Sequence, residues 1–130
     1  MTRRMSAYPP FPPVDQAANL AAKRRVLAVM QSLMDAPPGE LADAVRAGYH
    51  ADAAVSVTHP VNELSEPAAL ADQFWRPLRQ ALPDGERRTD ILAGGLYQGA
   101  HWVGCLGHYV GTFARDWLDI PATDGVVAVR

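Results

Sequence analysis

The sequence predicts one α+β domain, in which helices pack on one side of a curved antiparallel sheet. Apolar residues recur with a helical period in three stretches of the first two thirds of the chain. Residues 87–113 then form two apolar runs of strand character around a turn at Gln98-Gly99. At 130 residues the chain is long enough for a single domain with its own core.

The composition is that of an ordinary globular protein, with 48% hydrophobic and 20% charged residues. A net charge of −2 gives no sign of a surface for nucleic acid or for an anionic membrane. No apolar run reaches the length of a membrane span. Cys105 is the only cysteine, so an internal disulfide is impossible; we expect a cytoplasmic protein and a thiol that fills core space.

The first 50 residues predict an arm and two helices. Residues 1–14 contain four prolines and predict a proline-rich arm ahead of a domain at 15–130. Asp15 is a suitable N-cap for a helix that runs to Met34. A second helix is predicted from Glu40 to Ala47, with Leu41 and Val45 buried. The apolar stripe expected to face the core in the first helix comprises Leu20, Val26, Leu27, Met30, Leu33 and Met34.

A strand and a third helix follow. Residues Ala53 to His59 alternate as a strand that Pro60 ends, and 61–64 are predicted to be a loop. Ser65 predicts the start of a helix that reaches Leu82 and packs on the sheet. This helix is expected to bury Leu70, Phe74 and Leu78 and to bend at Pro77.

The hairpin that comes next is expected to form the wall of a pocket. In its second arm Trp102, Leu106 and His108 fall on one face, while Tyr109 and Phe113 fall on the other. Large residues on both faces indicate a strand that is covered on both sides. A long loop at 116–125 then leads into a strand that begins at Val126.

Three local strings, together with this order of elements, resemble a known family. They are Leu82-Pro83-Asp84, Gly107-His108-Tyr109-Val110-Gly111 and Ile120-Pro121-Ala122-Thr123. From about Lys23 to Arg130 the chain resembles the SnoaL-like polyketide cyclase branch of the nuclear-transport-factor-like superfamily. The resemblance implies a cone-like α+β barrel whose sheet wraps around a deep apolar pocket. It does not imply one activity, because the family includes cyclases, isomerases, dehydratases and non-catalytic domains.

The chain departs from the family at its end. In the cyclases, the acid/base aspartate lies on the last two strands, and Arg130 ends this chain where the first of them begins. No catalytic residue can therefore be carried over. We expect either a fragment of a longer protein, with its C-terminal strands missing, or a sheet that a partner completes.

The remaining polar residues suggest acid/base chemistry without a metal or other cofactor. Such chemistry needs a carboxylate or an imidazole in a dry pocket. We select His108 and Asp90 as candidate catalytic residues, although His108 could instead be a structural histidine and Asp90 could face solvent. No histidine or cysteine pair has the spacing of a metal site. The candidate pocket residues are Tyr49, His59, Trp75 and Trp102.

Two functions remain open from the sequence. One is a pocket enzyme, such as a cyclase, isomerase or dehydratase, that acts on an apolar, polyketide-like carbonyl compound. The other is a ligand-binding or dimerisation domain without catalysis. The expected partners are a small apolar molecule and either a second copy of the chain or a following domain of the same protein.

Overall fold

The α+β class is confirmed by a computed structural model, which describes residues 15–130. The predicted proline-rich arm at 1–14 lies outside the described residues. The described part contains three α-helices and two antiparallel sheets, one with strands β1-β2 and one with the order β3-β4-β5. Neither sheet closes into a barrel. Within this range no helix has both the length and the apolar character needed to cross a bilayer.

The first helix, α1, spans Gln16–Asp35 and begins as predicted. The Asp15 carboxylate accepts hydrogen bonds from the amides of Ala17 and Ala18, at 3.0 and 3.1 Å. The predicted stripe was partly wrong, because Leu20 and Leu27 are 47% and 41% exposed, whereas Leu33 is fully buried.

The side chains of α1 that lie against the sheet explain this difference. The helix contacts β3 and β4, and Gly94 of β3 comes so close to Asn19 and Lys23 that a Cβ there would touch both side chains. Bulky leucines do not fit at such a short helix–sheet distance. Leu20 and Leu27 therefore lie beside the contact, and Leu33 reaches the core farther along the helix.

The second helix, α2, spans Leu41–Gly48 and follows a short 3₁₀ helix at Pro38–Glu40. Leu41 and Val45 are fully buried, as the sequence predicted. They pack in the same core as Leu33 of α1, with which α2 is in contact.

The strand predicted at 53–59 is shorter than expected. It forms β1 at Val55–Ser56, which pairs with β2 at Glu63–Leu64 in the segment predicted to be a loop. The chain turns back after β1, and the amide of Val57 donates to the carbonyl of Asn62 at 2.8 Å. Since Pro60 has no amide hydrogen, the strand cannot continue past it, and the chain after the turn pairs with the chain before it instead.

The third helix starts later than Ser65. Its first turn is closed by bonds from Ala69 to Glu66 and from Leu70 to Pro67. A π-helical turn at Ala71–Trp75 then leads into α3, Arg76–Ala81.

The π turn lies directly before Pro77. The amide of Arg76 bonds to the carbonyl of Ala71, five residues back, so the turn is wider than in an α-helix. A proline lacks the amide hydrogen and crowds the preceding turn, and this widening accommodates it. The main buried aromatic here is Trp75, at 8% exposure, with half-buried Phe74 against it edge-on, at 4.9 Å between ring centroids.

The long hairpin is confirmed. Its strands are β3, Glu86–Tyr97, and β4, Ala100–Thr112, and the turn residues Gln98 and Gly99 have φ values of 49° and 77°. Positive φ at both central residues matches the right-handed twist of the flanking strands. The predicted last strand is also present as β5, Val126–Val129, and it pairs with β4 from Tyr109 to Thr112.

The expectation that β4 is covered on both faces was wrong. Tyr109 and Phe113 are 6% and 7% exposed and lie in the core, whereas Trp102 and Leu106 are 61% and 63% exposed. The helices occupy one side of the sheet, and no element within residues 15–130 packs over the other side at these positions. We call this other side the outer face; its exposed large side chains are Ile91, Tyr97, Trp102 and Leu106.

Candidate functional site

The two residues selected as catalytic candidates contact each other. His108 Nδ1 lies 2.8 Å from Asp90 Oδ2, a hydrogen bond between neighbouring strands of the hairpin. The side chain of His108 is 25% exposed and that of Asp90 is 51% exposed, so solvent reaches both. The hydrogen bond engages Nδ1 and leaves Nε2 outside it. With Asp90 ionised and His108 neutral, Nδ1 is the donor, because an ionised carboxylate only accepts hydrogen bonds, and Nε2 is unprotonated.

A β-bulge places Asp90 beside His108. Thr89 pairs with Gly107 and Ile91 pairs with Leu106, so Asp90 is one extra residue in β3. The extra residue of a bulge leaves the ladder and has its side chain aimed differently from a regular strand residue. Gly107 is opposite, and a Cβ at Gly107 would collide with the carbonyl oxygen of Arg88. The bulge therefore requires glycine at position 107.

The His108–Asp90 pair opens on a cavity of about 460 Å³. The cavity lies where β5 ends, since β4 has a β5 partner only from Tyr109 to Thr112. Residues from both faces of β4 therefore reach it. Its lining is mostly apolar, with a few polar groups, and the residues used below are Trp75, Leu78, Arg87, Asp90, Cys105 and His108. This volume is within the range of small-molecule sites.

One cation is also fixed in the cavity wall. Arg87 donates to Thr89 Oγ1 at 2.8 Å and to Cys105 Sγ at 3.1 Å. These two contacts hold the guanidinium plane, and its remaining N–H groups are free to meet an oxygen of a bound molecule. Arg130 also lines the cavity, which thus combines an imidazole, a carboxylate and two guanidinium groups on an apolar wall.

The predicted pocket residues separate into different places. Trp75 lines the cavity with His108 and Asp90. Trp102 lies on the outer face, where its ring is edge-on to Tyr97 at 6.2 Å. His59 is exposed and lines a different cavity of about 310 Å³ with Trp117. Tyr49 is half-buried against the core, and this burial raises the pKa of its hydroxyl.

The sequence did not point to Arg87, and Cys105 was expected to fill core space. Arg87 is the second residue of β3, and arginines near the start of a strand are usually exposed. Only the pairing of Arg87 with Tyr109 shows that its side chain faces inward. Alternation counted from the turn places Arg87 opposite Val110, on the other face, because this count misses the bulge at Asp90. Within residues 15–130, no three His, Cys, Asp or Glu side chains come together as a metal-binding group.

Tyr109 forms the wall between this cavity and a second one beside α3. Burial raises the pKa of its hydroxyl, Arg79 opposes that increase, and Asp84 adds to it. Asp84 in turn accepts hydrogen bonds from the amide and the hydroxyl of Thr112, both at 2.7 Å. The bond from the hydroxyl is the main cause that lowers the pKa of the Asp84 carboxyl, and the amide bond adds to it.

Comparison with known proteins leaves the family open: no family model, no curated protein and no solved structure matches the chain.

Proposed function

We propose that this domain binds a small apolar carbonyl compound in the 460 Å³ cavity and catalyses proton transfer at the carbon next to the carbonyl. The observation that carries the proposal is the hydrogen bond between His108 and Asp90 at the cavity. Cyclisation, isomerisation and dehydration of such compounds all begin with this proton transfer, so the proposal covers the three reactions expected from the sequence.

His108 acts as the general base in this proposal. Its Nε2 takes the proton from the α-carbon, and the electron pair of that C–H bond forms the enolate. Asp90 holds the imidazole through Nδ1 and stabilises the imidazolium that results. The protonated Nε2 then returns the proton to carbon in an isomerisation and to the leaving hydroxyl in a dehydration. In a cyclisation the enolate carbon bonds to a second carbonyl carbon, and Nε2 returns the proton to the alkoxide that forms.

Arg87 supplies the positive charge that the enolate oxygen requires. Its guanidinium is held by Thr89 and Cys105 before any ligand arrives, so little reorganisation accompanies the reaction. Phe74 and Trp75, with Leu78 buried in the core beside them, form the apolar wall that selects an apolar substrate. The proposed chemistry uses no metal or cofactor. It is compatible with the cytoplasmic location that the single cysteine led us to expect.

Deuterium incorporation tests the proposal without knowledge of the natural substrate. Apolar ketones and β-keto esters are incubated with the protein in D₂O, and exchange at the α-carbon is followed by NMR. His108→Gln should lower the exchange rate about 10²–10⁴-fold, the usual contribution of a general base. Asp90→Asn should lower it less, because the imidazole remains present.

His101→Gln is the matched control, since His101 is an exposed histidine of the same strand and lies outside the cavity. It should exchange at the wild-type rate. The proposal fails if wild type gives no exchange above buffer for any ketone in the panel, or if His108→Gln and His101→Gln behave alike. Ligand shifts in the NMR spectrum then show separately whether the cavity binds ketones at all.

A second candidate function is dimerisation without catalysis, and the outer face favours it. Ile91, Tyr97, Trp102 and Leu106 are 56–63% exposed on one side of the hairpin. Together they expose roughly 500 Å² of mainly apolar side chain, which is at the upper end for a monomer. Sedimentation should show a dimer that Trp102→Glu converts to monomer; a wild-type monomer at high micromolar concentration rules this candidate out.

A further inference from the structure

The second cavity, on the other side of Tyr109, has a different chemical character. Its volume is about 410 Å³, and it lies between the end of α1, the helix α3 and the start of β3. Three arginines line it, Arg76, Arg79 and Arg115, and no aspartate or glutamate does. We call it the arginine cavity. Its other lining residues are Met34, Pro38, Leu41, Gln80, Pro83, Gly85 and Tyr109.

Two of the arginines are fixed by the fold. Arg79 Nη1 donates to the carbonyls of Leu33 and Ala36 at 3.2 and 2.6 Å, where α1 ends. Arg76 donates to the carbonyl of Pro38 through Nε and Nη2, at 3.4 and 3.0 Å, and pairs with Asp72. These contacts hold both guanidinium groups in the wall of the cavity before any ligand is present.

The positive charge of the arginine cavity is only partly compensated. Asp72 offsets Arg76, and Asp84 is near enough to raise the pKa of the Tyr109 hydroxyl. Within residues 15–130, however, no carboxylate lies within salt-bridge distance of Arg79 or Arg115. Arg79 uses one nitrogen for the helix carbonyls and keeps Nε and Nη2 for other acceptors. The side chain of Arg115 makes no hydrogen bond within the same range, and its backbone amide bonds to Ala81.

Tyr109 adds a further donor. Its ring lies over Gly85 so closely that a Cβ at Gly85 would overlap the phenol carbons and the hydroxyl. The glycine thus lets the hydroxyl end of Tyr109 reach the side of the domain where the arginine cavity opens. Guanidinium and phenol groups are all donors to an oxyanion, and arginine binds carboxylates and phosphates through paired N–H groups.

We propose that the arginine cavity binds the oxyanion group, carboxylate or phosphate, of a small molecule. This inference goes beyond the proposed function, because Tyr109 separates the cavity from His108 and Asp90 and because the ligand is an anion instead of an uncharged apolar compound. Arg115 and Arg79 supply the uncompensated charge, and Met34 and Pro38 form an apolar surface for the rest of the ligand.

Calorimetry with two probes tests this proposal and distinguishes the two sources of the oxyanion. The 130-residue chain is titrated with inorganic phosphate and with succinate at low ionic strength. We expect saturable binding of one molecule of at least one probe. Arg115→Gln should weaken that binding about tenfold, the effect of one hydrogen bond to a charged group. Arg115→Lys should weaken it less, because the charge remains without the paired donors.

Arg24→Gln is the matched control, because Arg24 is exposed on α1 and does not line the cavity. Its affinity for the probe should stay within about twofold of wild type. Arg115→Gln should fold normally, since the Arg115 side chain is exposed and makes no hydrogen bond or salt bridge within residues 15–130. Amide NMR shifts should centre on Leu41 and Gly85 and not on the turn at Gly99.

The proposal is overturned if neither phosphate nor succinate saturates. It is equally overturned if Arg24→Gln weakens binding as much as Arg115→Gln, since that result shows attraction to the general charge of the protein. Shifts that centre on the hairpin turn also contradict it. Binding of phosphate alone, succinate alone or both supports it and names the source of the oxyanion.

Discussion

Replacement of Leu33 by alanine tests which side of α1 faces the core. Leu33 is fully buried, and it packs with Leu41 and Val45 of α2. The change removes three carbon atoms, worth about 2.4 kcal/mol at 0.8 kcal/mol per buried methylene. The cavity left behind adds to this loss, so we expect the free energy of unfolding to fall by about 3–4 kcal/mol. The melting temperature should fall by roughly 10 °C.

Leu20→Ala is the control on the same helix. Leu20 is 47% exposed, so the same chemical change should cost less than about 1 kcal/mol. Urea unfolding followed by circular dichroism gives both values, with an unchanged slope m if both variants unfold in two states. Equal losses for the two leucines, or a loss below about 1 kcal/mol for Leu33→Ala, would refute the placement of α1 against the core.

Two further predictions concern the packing of the hairpin. Asp84→Asn should lower the free energy of unfolding at neutral pH, relative to the exposed control Asp119→Asn. Because the pKa of Asp84 is lowered in the folded state, this difference in stability should be fully present above the ordinary aspartate pKa of about 3.9 and shrink as the pH falls below it. Urea titrations from pH 6 to pH 2.5 measure it. An unchanged difference at low pH would contradict the bonds to Thr112. Gly94→Ala should cost about 1–3 kcal/mol because the new methyl meets Asn19, whose buried Oδ1 has no hydrogen-bond partner within residues 15–130. In an Asn19→Ala background the cost should fall by more than half, and equal costs in both backgrounds would show that the two residues do not touch.

The elements of the fold were largely predictable because their signals are local. The carboxylate cap at Asp15, the two-residue turn at Gln98-Gly99 and the alternation in β4 each depend on residues close in sequence. The predicted start of the third helix was wrong, because Ser65 resembles an N-cap in the sequence but makes no capping hydrogen bond to the first turn. Tertiary packing around Pro77 decides that segment, and no local pattern reports it.

The candidate site was predictable in its residues and not in its geometry. His108 and Asp90 stood out as polar residues in apolar strands, but their contact depends on a bulge that period-two counting does not reveal. Trp102 was expected in a pocket because β4 carries large residues on both faces, which indicated a strand covered on both sides. Only the position of the helices relative to the sheet shows that its face is open.

The bulge at Asp90 also has a consequence for how this hairpin tolerates insertions and deletions. Because Asp90 is the extra residue, its removal would leave Arg87 opposite Tyr109 and Leu92 opposite Cys105, with every other side chain on its present face. Deletion of a neighbouring residue such as Ala93 would instead move the side chains of the four residues from Gly94 to Tyr97 to the opposite face of the sheet. A single-codon change can therefore add or remove the carboxylate at the imidazole while the rest of β3 keeps its pairing.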